Sequence, residues 1–148
     1  MQPPDEPHQR PPQASDRTVE AVGKLGEALE WIARARGRLY DVHQLVGRAD
    51  CLFEDAADLL EASGTGELAR FVRSDVIGCN VLPGRWTFQI VEEFDDGYYR
   101  TVTEVERRIR EELLDGKRHV YEAELKEQRR THGQRGHEAR PDEDAGTP

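Results

Sequence analysis

The sequence predicts an all-α fold. The expected form is an irregular up-and-down bundle of two long helices, at about 17–46 and 85–115, with two shorter helices and a partly exposed C-terminal helix. Two stripes carry this reading. Val22, Leu25, Leu29, Ile32, Arg36, Leu39, His43 and Val46 follow gaps that alternate three and four, the seam of a bundle or coiled coil. Trp86, Ile90, Phe94, Tyr98, Val102, Val105, Ile109 and Leu113 are also spaced by three or four, which sets them on one side of one helix.

The stretch from Trp86 to Tyr99 holds five of the ten aromatic residues. It admits a second reading. Phe88, Ile90 and Phe94 alternate, and Asp96-Gly97 is a hairpin turn signal, so a hairpin at 86–102 is the alternative. The helix is preferred because no third strand is legible elsewhere and a lone hairpin is marginal. Gly97 opposes it, at about 1 kcal/mol in a helix interior.

Taken in order, residues 1–15 read as a disordered Pro-rich tail, with five of the eight prolines. Ser15 or Asp16 is a fitting N-cap for the first helix. Gly47-Arg48-Ala49-Asp50 predicts a kink or break. A second helix, 51–62, is expected to bury Leu52, Phe53, Ala56, Leu59 and Leu60, with Glu54, Asp55, Asp58 and Glu61 solvated. Gly64 reads as its C′ residue and Thr65 as the next N-cap. The third helix, 66–77, is expected to bury Leu68, Phe71, Val72, Val76 and Ile77. A loop follows, with Val81 and Leu82 tucked under the bundle. The fifth helix, 117–130, has few large apolar residues. The helical domain thus spans 16–130, and 131–148 reads as a disordered charged tail.

The net charge is −9. Its acidic middle argues against a broad nucleic-acid surface, and only Lys126–Arg140 offers a small basic stretch. Cys51 and Cys79 lack metal-ligand spacing and read as small buried apolar residues. No signal pattern or membrane-length apolar run is present, so the expected location is the cytoplasm with reduced thiols.

No nucleophile elbow, P-loop, paired Glu-x-x-His or EF-hand spacing occurs. Gly64-Thr65-Gly66-Glu67-Leu68-Ala69 has a nucleotide-loop pattern, but a helix precedes it where that loop needs a strand. No catalytic, cofactor or metal residues are therefore assigned. Two groups stand out instead. Glu92, Glu93, Asp95, Asp96, Tyr98 and Tyr99 form a candidate interaction surface. Arg36 and His43 are polar residues inside an apolar seam, where such groups can set register or partner choice. The expected function is a non-enzymatic helical protein–protein interaction module, self-associating or docking on a protein partner. The competing reading is a small-molecule-binding regulator or enzyme with an aromatic pocket near Trp86, Tyr98 and Tyr99.

Overall fold

The computed structural model describes residues 3–141. Its helices are α1 (Asp16–Ala62), α2 (Gly66–Asp75), α3 (Thr87–Phe94), α4 (Arg100–Leu114) and α5 (Val120–Arg129). A short 3-10 turn covers Glu6–His8, and a π-helical segment, Asp95–Tyr99, joins α3 directly to α4. No strand occurs among the described residues; Leu82 and Arg85 form an isolated bridge. The fold is all-α, and the hairpin alternative is set aside: 86–102 is helical from Thr87 onward.

The expected break at Gly47–Asp50 does not occur. The first and second predicted helices are one, α1, of 47 residues. The three-and-four spacing explains this. It continues past Val46 through Asp50, Phe53, Ala57 and Leu60, so one face keeps its direction across Gly47. Ser15 is the N-cap, its hydroxyl accepting the Thr18 N–H at 3.2 Å. At the other end Gly64 has a φ of +84°, the left-handed conformation expected of C′. Thr65 is the N-cap residue of α2 as expected, but its hydroxyl donates to the Leu60 carbonyl at 2.7 Å and closes α1 instead of capping α2.

The chain divides into two compact units. The first comprises residues up to Trp31 and from Val102 onward. Its core is Val19, Val22, Leu114, Val120 and Ala14, with Ile109 packed against it. Pro11 is also fully buried. These two N-terminal residues belong to the segment whose composition reads as a tail. Proline loses little entropy on ordering. Arg10 ties the same segment to α5 through two 2.7 Å bonds to the Glu124 carboxylate, and it reaches Asp16 at 2.6 Å. α4 ends where Asp115 and Gly116 both adopt positive φ, so α5 is a separate helix. Of the expected C-terminal tail, residues 142–148 lie outside the described residues, as do residues 1 and 2 of the N-terminal one. Within 131–141, the Ala139 carbonyl accepts from Lys126 and the His137 carbonyl from Arg130.

The second unit is Ile32–Thr101. Its buried residues are small or β-branched: Ala57, Ala69, Val91 and Thr87. Several expected core residues are instead exposed, namely Leu52, Phe53, Ala56, Leu59, Leu68, Phe71, Val76, Val81 and Leu82. Arg73 accounts for part of this. From α2 it reaches Asp58 at 2.5 Å, Glu61 at 2.8 Å and Glu54 at 3.6 Å. Three of the four acids expected to be solvated therefore face α2, and Leu52 and Leu59 turn outward. Cys51 and Cys79 are free thiols, and both are exposed rather than buried. Cys51 falls on the outer side of α1, and Cys79 lies in the turn region after α2.

The glycines of the helices separate packing from propensity. A Cβ at Gly23 would stand 3.0 Å from the Tyr121 Cβ and 3.1 Å from its Cγ, whereas one at Gly47 or Gly97 meets nothing within 4 Å. Gly47→Ala and Gly97→Ala should each stabilise by up to about 1 kcal/mol. Gly23→Ala should lose that gain to overpacking of about 1–3 kcal/mol. Thermal melts of the three variants check this; a Gly97→Ala loss would contradict the π-helical path.

Candidate functional site

Both polar residues of the α1 seam find partners on the central aromatic stretch. Arg36 donates from Nε to Asp95 Oδ1 at 2.7 Å and from Nη2 to Asp95 Oδ2 at 2.9 Å. This two-point geometry is the one a guanidinium and a carboxylate share best. The guanidinium also lies 5.0 Å from the Tyr99 ring centre and 5.1 Å from that of Tyr40. The negative faces of the two rings attract the guanidinium and help to fix its position. Seven residues along α1, His43 Nδ1 shares a 2.7 Å hydrogen bond with the hydroxyl of buried Thr87.

The π segment is what presents Asp95 and Tyr99 together. Asp95, Asp96 and Gly97 are poor helix formers, so α-helical bonding is weakest there. The Arg100 N–H bonds to the Asp95 carbonyl, five residues back. Thr101 Oγ1 donates to the Gly97 carbonyl at 3.0 Å. Phe94 supports the cluster, with ring centres 6.2 Å from Tyr99 and 6.0 Å from Tyr98.

This arrangement divides the expected acidic surface. Asp95 and Tyr99 turn onto Arg36. Glu93 pairs with Arg85, whose Nε lies 2.7 and 2.8 Å from its two oxygens. Glu92, Asp96 and Tyr98 remain exposed. The Arg36 guanidinium holds the Asp95 carboxyl below its ordinary 3.8, and Asp95 in turn raises Arg36. An acid locked in such a pair is poorly placed to move protons near neutral pH.

The three aromatic residues suggested for a pocket are spread along the helix. Trp86 donates its indole N–H to the Gly78 carbonyl at 3.1 Å. Twelve residues of helical rise separate it from Tyr98, roughly 18 Å.

Sequence reading missed one cluster in the first unit. Glu30, His119 and Glu122 bring ligand atoms within 4.8 Å of one another, all on exposed side chains. Glu30 is remote in sequence from the other two, so spacing gave no signal. Beside it lies a cleft of about 320 Å³ whose lining includes Asp5, His8, His119, Glu122 and Lys126. Nearby, in the basic stretch Lys126–Arg140, Arg130 is held by Glu127, which also bonds His132 at 2.9 Å. These two partners lower the Glu127 pKa to about 2.

No protein-family model, curated protein or solved structure matches the chain. No helix of the described residues is long and apolar enough to cross a membrane.

Two outcomes follow from these groups. Asp95 and Glu127 have folded pKa values below their unfolded ones, so each contributes stability that is present above the ordinary carboxylate range and is lost on acidification, for Glu127 as pH falls toward 2. Asp95→Asn should therefore lower stability at neutral pH, with the deficit shrinking as the wild type is acidified below about pH 4. Denaturant melts at both ends of that range check it; a deficit independent of pH would contradict the pairing. For the exposed trio, elemental analysis of the purified protein should find no stoichiometric transition metal. About one Zn per chain, lost in His119→Ala, would assign a metal site there.

Proposed function

We propose that this chain is a non-enzymatic helical protein–protein interaction module that associates with copies of itself. One observation carries the reading: most of the large apolar side chains that stay exposed belong to residues 32–101. Leu45, Leu59 and Phe71 are more than 60% exposed, and Leu52, Leu68 and Tyr98 at least half exposed. Single exposed leucines need no explanation, but this density within one small unit is typical of surfaces that a partner covers.

The polar groups support the same reading. Arg36, His43, Asp95 and Glu93 are each satisfied by a specific internal partner. Paired in this way, Arg36 and His43 specify how α1 meets residues 87–95, and none of the four stands free as a nucleophile or general base.

Sedimentation velocity at micromolar concentration tests the proposal. A dimer or larger species, with association that strengthens as protein concentration rises, is the expected result. A strict monomer would overturn self-association, and one that also captures no protein in a pull-down would overturn the interaction reading.

A further inference from the structure

We infer that α1 pairs antiparallel with α1 of a second copy, along a seam distinct from the one its own chain covers; this rests on the self-association reading above. Val42, Leu45, Ala49, Leu52, Ala56 and Leu59 follow gaps of three and four through 18 residues of α1. They fall about 100° around the helix from the inward set His43, Val46, Asp50, Ala57 and Leu60. Unlike the inward set, this one is open. Val42 and the three leucines are exposed, as is Ala56, and Ala49 is half-buried.

The composition of the seam selects its occupant. Leucine recurs at 45, 52 and 59, and the intervening positions are Val42, Ala49 and Ala56. In an antiparallel pair each layer sets a residue of one kind against one of the other. Aligning Ala49 with Leu52 of the second copy also sets Leu45 against Ala56 and Val42 against Leu59, each contact occurring twice. Large meets small in every layer but the outermost, so the two helices can approach closely without voids. A parallel pair would stack leucine on leucine and leave alanine facing alanine.

Charge gives the same register. Arg48 and Asp55 lie on α1 beside this seam, and neither makes an ion pair among the described residues. The antiparallel alignment brings Arg48 of each copy to Asp55 of the other. A parallel one sets Arg48 beside Phe53 and Asp55 beside Leu60 of the other copy, so neither charge meets an opposite one. A self-complementary patch is what a two-fold dimer requires, since both copies present the same surface.

Sedimentation equilibrium of the full chain tests this, with circular dichroism confirming that each variant keeps its helices. The wild type should dimerise, and Leu52→Glu should raise the dissociation constant by about tenfold or more. Arg48→Asp and Asp55→Arg should each weaken the dimer by about threefold or more, and the two together should restore it. This charge set lies on the surface and decides the matter even if Leu52→Glu unfolds. A dimer indifferent to all these changes would overturn the seam while leaving the interaction reading intact. Loss without restoration in the double variant would overturn the antiparallel register. A wild type that stays monomeric would overturn the inference, and one that also captured no protein would overturn the interaction reading with it.

Discussion

Between Val42 and Leu60, α1 carries more apolar surface than the rest of its unit covers. That constraint shapes the second unit. One stripe, through His43, Val46, Ala57 and Leu60, faces inward. The adjacent stripe, through Leu45, Leu52 and Leu59, does not. A helix can turn only about one third of its circumference into a single groove, and here the apolar arc is wider. α2 does not cover the remainder, because Arg73 commits it to the acidic flank at Glu54, Asp58 and Glu61. The uncovered leucines are thus a consequence of where α2 is anchored.

The inward stripe has its own logic. An apolar seam tolerates sliding by a turn, and polar residues within it penalise that. Across the seam Arg36 reaches Asp95 and His43 reaches Thr87, and a shift of α1 would break both bonds. The π segment serves this pairing. It is local irregularity at the place where Asp95 and Tyr99 must both meet one guanidinium. The acids of the central stretch therefore divide between internal pairing, at Asp95 and Glu93, and open surface, at Glu92 and Asp96.

Much of this was legible in the sequence, and the rest fails for identifiable reasons. All eight residues from Val22 to Val46 read as a seam are buried or half-buried. Periodicity succeeds there because only one apolar stripe runs through most of that range. From Val42 onward two stripes run side by side, and periodicity alone cannot tell the covered one from the open one, so Leu52 and Leu59 read as core. Gly47 suggested a break because a glycine penalty of about 1 kcal/mol is visible in sequence, while the continuing stripe that offsets it spans a dozen further residues. Arg36 and His43 stood out as polar, but their partners are far away along the chain. The same holds for Arg10 and Glu124, which accompany the burial of Pro11 and Ala14 in a segment whose composition reads as a tail.

The central claim is that the open stripe of α1 is covered by its own copy, running the opposite way. Intermolecular distances between spin labels test it most directly. One label goes on Cys51 with Cys79→Ser, near the middle of the proposed pair, and another on Ala62→Cys with both native cysteines replaced by serine. Pairing centred between Ala49 and Leu52 predicts a short distance for the first label. For the second it predicts a separation of about 35 Å along the axis, from 23 residues of helical rise. Equal short distances at both positions, or no intermolecular coupling at either, would contradict the account.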